Sequence, residues 1–349
     1  MTRHPLIHPS VASSARLRHK FVSPSFLSLM AQHTTETDLA RARLNSSQRA
    51  RYHRLMYLEI DDFKKWGERL APWLTQRFHP EVLARFGETV QPDWISWLDA
   101  EQATRTGTYE SSKKPFELHM QYSYEGIRVI HATRLDNLDT VRSSGLRGWS
   151  PSELRSAAYD RFRGEVESAM LERSIEGCLP DHRGGRVYSF ASLSHALGLN
   201  YGNCVGSIPD FAIHGGEFLR CVALQAGLGV QNARRSGRAF LLACDVPWEF
   251  MPDGLVQGIA QDIFFNLLTW RFFDASRYSM LGSVECISTT RDIPPKQIQL
   301  VADVEHLVGR KDIARSEIRW ERVHRFVGQE MSVPTTLAEN DYSNPSERS

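Results

Sequence analysis

Three short stretches carry side chains able to do chemistry at a common site. The first, VIHATRLDNLDTVRSSGL (residues 129–146), sets His131 and Thr133 at the end of an apolar run. The second, GGRVYSFASLSHALGLNYGN (184–203), carries Tyr188, Phe190 and Tyr201. The third, GSVECISTTRDIPPKQIQLV (282–301), puts Glu285 into a β-prone, largely apolar run. An imidazole held at a strand end offers a rigid donor or acceptor, and flat aromatic faces suit a planar ring. A carboxylate taken out of water needs a partner or a task. Each residue also has a plain structural explanation. These are a histidine bonded to a backbone carbonyl, aromatics packing strand on helix, and an edge strand whose glutamate faces water.

The elements that must position these residues can be read from periodicity. IRVIHAT reads as a strand ending at His131 and Thr133, followed by a helix over 135–144. Thr133 and Asp136 match a capping box, Leu135, Leu138 and Val141 share a face, and Gly145 is the expected positive-φ stop with Leu146 packing back. The histidine is thereby expected beside a helix N-terminus, a place that favours phosphate or polar ligand atoms. RVYSFA, RAFLLACDV, SVECIST and IQLVADV read as further strands. Helical pieces are expected at 152–176, 192–200, 216–227 and 255–273.

Upstream, residues 46–104 read as helical. Leu55, Leu58, Phe63, Trp66, Leu70, Trp73 and Leu74 recur at spacings of three and four, with a kink or break at Pro72. HPEVLARF and QPDWISWLDAEQA supply two short helices with proline near the start. Residues 105–124 read as a polar linker. The acid-poor stretch 1–45 is expected to be a disordered leader, with Met30 as an alternative start. Residues 331–349 read as a disordered tail. The expected fold class is α+β: a helical N-terminal region followed by a catalytic domain over 125–330.

Composition narrows the function classes. The chain has 349 residues, 41% of them hydrophobic and 24% charged, enough for one large or two ordinary domains. A net charge of +1 gives no global pull toward nucleic acid or an anionic membrane. No apolar run approaches the roughly 20 residues of a membrane span. Five scattered cysteines, an odd number without a CxxC pair, argue against a disulfide framework and a zinc site, and fit a reducing cytoplasm.

Taken in order, the three stretches resemble the motifs of the ADP-ribosyltransferase superfamily: a strand ending in His-x-Thr before a short helix closed by Gly-Leu, an aromatic strand before an alanine-containing helix ending in tyrosine, and a strand glutamate before a proline-bearing turn. The Asn-Leu of the first stretch is similar to that of DarT-type DNA ADP-ribosyltransferase toxins. The resemblance covers about 125–305. The two tyrosines of the His-Tyr-Glu branch are separated by ten residues, whereas twelve lie between Tyr188 and Tyr201; starting from Phe190 restores ten but removes a hydroxyl. Ser283 stands two residues before Glu285, which disfavours the arginine-modifying Glu-x-Glu branch.

The resemblance implies a split-sheet fold with NAD as substrate and no metal. It implies that His131 bonds a ribose hydroxyl, that Thr133 and Asn137 help fix the cofactor, and that Tyr188 or Phe190 with Tyr201 sandwiches the nicotinamide. Glu285 would be the catalytic carboxylate. The implied activity is mono-ADP-ribosylation of DNA or protein by a toxin or effector, cytoplasmic or secreted, with room for an antitoxin or immunity partner and no membrane. Two alternatives stand beside it: an NAD glycohydrolase or RNA 2′-phosphotransferase-like enzyme, the latter normally relying on arginines where Glu285 stands, and a non-catalytic binding module on the same fold. The charged insertion at 150–176 is expected to cover the site or engage the target. His214, Arg220 and Arg186 are loose candidates for phosphate or target contact, and Glu217 reads as a helix-start carboxylate.

Overall fold

A computed structural model describes residues 57–86, 94–179, 184–199, 205–214, 216–233, 236–272 and 286–323, the side chains of 269–272 excepted. The described residues belong to one compact unit. The fold is α+β. Its main sheet has seven strands: β1 (Tyr57–Leu58), β2 (Gly126–Leu135), β3 (Val187–Phe190), β5 (Arg238–Pro247), β6 (Cys286–Thr289), β7 (Ile298–Asp303) and β9 (Glu321–Arg322). They run in the order β6-β3-β2-β5-β7-β9, all antiparallel, with β1 added parallel to the start of β2. A two-stranded ribbon joins β4 (Val205–Gly206) to β8 (Ile313–Ala314).

Alternation along β2 and β5 feeds a core on each face of the sheet. Ile127 and Val129 of β2, with Leu242, Cys244 and Val246 of β5, face the larger core. Helices α1 (Phe63–Arg77), α2 (Pro80–Phe86), α3 (Trp94–Thr106), α4 (Lys113–Ser123) and α11 (Asp253–Phe272) cover that face. Its centre is an aromatic cluster: Phe116 stacks on Phe264 at 4.7 Å, and Trp73 meets both edge-on. Ile130 and Ala132, with Leu241 and Ala243, face the second core under α8 (Leu193–Ala196) and α9 (Asp210–His214). Helices α6 (Pro151–Phe162), α7 (Ser168–Cys178) and α10 (Glu217–Gln225) form a third cluster around Phe162, Ile175 and Val222.

Several expectations are corrected. Tyr57–Leu58 is a strand, because its backbone pairs with Gly126 and Ile127; helical spacing of the apolar residues did not reveal that partner. Pro72 neither breaks nor ends α1, which runs through it to Arg77 with Trp73 and Leu74 buried beyond it. The stretch 105–124 is not a linker throughout: α4 occupies Lys113–Ser123, and its Phe116 and Met120, four residues apart, point into the main core. The helical N-terminal segments therefore share a core with the sheet. The charged insertion forms two helices, α6 and α7. The former opens with a capping box between Ser150 and Glu153. Residues 1–45 and 331–349 lie outside the described residues.

Candidate functional site

The sheet sets the strands of the three motifs side by side, in the order β6, β3, β2. β2 pairs with β5 along its whole length, from Gly126↔Pro247 to Leu135↔Arg238. Its other edge is divided: β1 takes Gly126 and Ile127, and β3 meets it through the single pair Ile130↔Phe190. β3 itself pairs fully with β6, from Val187↔Thr289 to Phe190↔Cys286. The β3–β6 ribbon thus hangs from the rest of the sheet by one residue pair.

His131 lies at that junction. It does not end a strand, as β2 continues four residues beyond it. The expected capping box is absent too, since Thr133 and Arg134 remain in the ladder opposite Phe240 and Ala239. The helix that follows, α5 (Leu138–Ser144), is capped by Asn137, whose Oδ1 accepts the Asp139 N–H at 2.8 Å. Asn137 is exposed and six residues along the chain from His131, about 20 Å if extended. The helix N-terminus and the histidine are therefore not neighbours along the strand. Gly145 does close α5 with φ +78°, and Leu146 bridges to Ile293. A Cβ at Gly145 would stand 2.2 Å from the Ile293 carbonyl oxygen, so both backbone angle and space demand glycine there.

The His131 imidazole spans the opening between the strands, with Nδ1 2.8 Å from the Tyr188 carbonyl oxygen. A carbonyl only accepts, so Nδ1 carries the hydrogen and Nε2 keeps its lone pair. Burial holds the imidazole below its ordinary pKa, outweighing the raising effect of that bond. The site therefore presents a neutral ring with an acceptor nitrogen, which suits a hydroxyl donor.

Strand alternation decides which residues share His131's face. Val187 and Ile287 lie in the same core as Val129 and Leu242, so Ser189, paired with Ile287, shares the face of His131 and Thr133. Tyr188 and Phe190 alternate with these and issue from the opposite face. There the Phe190 ring lies 5.4 Å from that of Phe211, tilted by 30°, against the second core. The structure thus brings His131 and Thr133 together and does not bring the Tyr188 and Phe190 side chains to them. Tyr201 and Glu285 lie outside the described residues; Glu285 immediately precedes Cys286, the first residue of β6.

Residue type gives Ser189 no signal beside its aromatic neighbours Tyr188 and Phe190. Its signal was alternation with Val187. Ser189 is buried, and among the described residues its hydroxyl oxygen has no hydrogen-bond partner. Among the looser candidates, Arg220 is engaged by Asp210 at 3.0 Å, His214 is buried at the end of α9, and Arg186 is half-buried just before β3.

A cavity of about 580 Å³ lies elsewhere, lined by Tyr57, Gln121, Glu125, Trp248, Glu249 and Asp253 among others. It sits at the Gly126↔Pro247 end of the β2–β5 ladder, about 17 Å along the strand from His131. Burial and the carboxylates of Asp245, Glu125 and Glu249 push the Tyr57 hydroxyl up to about 12. That concentration of negative charge repels a pyrophosphate, which makes the cavity unsuited to a dinucleotide. Nearby, Arg128 is gripped by Asp245 at 2.7 Å and by Glu59. These carboxylates hold its guanidinium charged despite burial.

Among the described residues no cluster of histidine, cysteine or carboxylate side chains is arranged to hold a metal ion, and no helix is long and apolar enough to cross a membrane. No family model, curated protein or solved structure matches the chain.

Proposed function

We propose that the protein is an NAD-dependent mono-ADP-ribosyltransferase acting on a macromolecular acceptor, DNA or protein. One observation carries this reading. The strands bearing the three motifs are adjacent in the sheet, and the histidine strand parts from the aromatic strand after a single residue pair, with His131 in the opening. The ordered resemblance of the motifs adds to it.

In this reading the dinucleotide lies across the β2–β3 opening. The Nε2 of His131 accepts a hydrogen bond from a ribose hydroxyl, and Thr133, on the same face, helps fix the cofactor. Tyr188 and Phe190, on the other face, pack the strand, so nicotinamide stacking falls to Tyr201. Glu285 bonds the 2′-hydroxyl of the nicotinamide ribose and stabilises positive charge as the glycosidic bond breaks. Nicotinamide leaves with the bonding electron pair. A nucleophile on the acceptor then bonds to the anomeric carbon and loses its proton. Neither a metal nor a covalent enzyme intermediate is required.

Labelled NAD offered with protein lysate, DNA and RNA side by side tests the proposal. The expected result is stable label on DNA or protein, lost in Glu285→Ala. Nicotinamide release without label on any acceptor would make the chain a glycohydrolase, and absence of NAD binding would leave only a binding module.

A further inference from the structure

The helix of the second motif is held by a residue far outside the motifs. α8 is a single turn of four residues, too short to hold its own position. Its start is fixed twice. Ser192 accepts the His195 N–H through its own hydroxyl, at 3.2 Å. Asp61, from the segment between β1 and α1, takes the next two donors: Oδ1 accepts the Ser194 hydroxyl at 2.7 Å and Oδ2 accepts the Ser194 N–H at 3.2 Å. Ser194 is fully buried, so these bonds have no water to replace them. Arg315 adds a third anchor, 3.4 Å from Asp61 Oδ1. Three distant segments meet at one carboxylate.

What makes this clamp consequential is the weakness of the backbone connection beside it. β3, which leads into α8 through Ala191 and Ser192, is joined to β2 by one residue pair and the His131–Tyr188 bond. With so few ladder bonds, side-chain anchors set where the second motif stands relative to the histidine strand. Asp61 is three residues beyond β1, which occupies the same β2 edge that β3 leaves open. The N-terminal segment thus fills the edge and grips the motif at once.

We propose that Asp61 is a positioning residue: through Ser194 it fixes the second motif against His131, and the N-terminal region is in this way an integral part of the NAD site. This rests on the ADP-ribosyltransferase reading above. Misplacing a binding group by about an ångström costs up to about 100-fold in rate.

The test uses the full chain with Asp61→Ala and Asp61→Asn. Asp62→Asn serves as control, since Asp62 caps Lys65 at the start of α1 and makes none of the bonds to Ser194. Two readouts are needed: amide exchange at Ser194 without substrate, and kcat and KM for nicotinamide release from NAD. We expect faster Ser194 exchange in both Asp61 variants and a KM raised at least about 10-fold in Asp61→Ala. Asp61→Asn, which keeps one acceptor oxygen, falls between it and wild type. The control changes neither. If Asp61→Ala does not fold, Asp61→Asn carries the comparison. A KM effect no larger than the control's, in an active wild-type background, overturns this inference alone. A wild-type chain that releases no nicotinamide overturns the ADP-ribosyltransferase reading, and a role for Asp61 toward NAD falls with it.

Discussion

His131 has two jobs in this account, and they can be separated by substitution. Its Nδ1–H satisfies the Tyr188 carbonyl at 2.8 Å where β2 and β3 part, while Nε2 is reserved for ligand. Truncation to alanine removes a bond worth about 1 kcal/mol net and strands a carbonyl, at about 1–3 kcal/mol in total. Loss of a half-buried ring adds about 1 kcal/mol. His131→Ala should therefore lower unfolding free energy by about 2–4 kcal/mol, read from the midpoint and slope of urea denaturation. His131→Asn places an amide donor near the position of Nδ1 but has nothing at Nε2. It should recover most of the stability and none of the NAD affinity measured by calorimetry. The pH dependence follows from the lowered pKa. As pH falls through about 6.5 the unfolded chain takes up the proton first. The stability due to the neutral folded imidazole is therefore complete above that value. It declines toward the lower folded pKa at up to about 1.4 kcal/mol per pH unit. His131→Asn should lack this slope. A His131→Ala variant as stable as wild type would refute the role assigned to the ring in the strand opening. Full NAD binding by His131→Asn would refute the role assigned to Nε2.

Two further substitutions probe the surroundings. Ser189→Ala removes a buried hydroxyl that has no partner among the described residues, so it should raise stability by about 1 kcal/mol in thermal or urea unfolding; a loss of stability would mean the hydroxyl is bonded. Gly145→Ala should destabilise by about 1–3 kcal/mol from its positive φ alone, with more from the 2.2 Å approach to the Ile293 carbonyl. An unchanged melting temperature would show that the end of α5 does not approach the Ile293 segment, between β6 and β7, this closely.

Much of the architecture was legible because alternation is a local signal. β2, β3, β5, β6 and β7 all fall where apolar runs were bounded by turn residues, and α10 and α11 where the period changed. What failed depended on partners distant in sequence. β2 extends past Thr133 because β5 supplies ten consecutive partners, and that moves the helix cap from Thr133 to Asn137. Tyr57 and Leu58 leave the helical pattern because β2 has an unfilled edge. Pro72 fits inside α1 on its solvent side, where the neighbouring buried Trp73 and Leu74 hold the helix together.

The candidate site divided along the same line. Residue types pointed to His131, and the structural alternative, a bond to a backbone carbonyl, turns out to be what fixes its tautomer. The same types pointed to Tyr188 and Phe190, but the face of β3 belongs to register, which places Ser189 on the histidine side. Asp61 had no signal at all in the motifs, since its importance comes from Ser194, 133 residues away.

Release of nicotinamide from NAD by the purified chain tests the central claim most directly. The account predicts turnover in wild type, at least about 100-fold less in Glu285→Ala by loss of charge stabilisation in the transition state, and no change in the variant's folding. Wild-type protein that leaves NAD intact in the presence of protein, DNA and RNA, or Glu285→Ala that turns over NAD as wild type does, would contradict it.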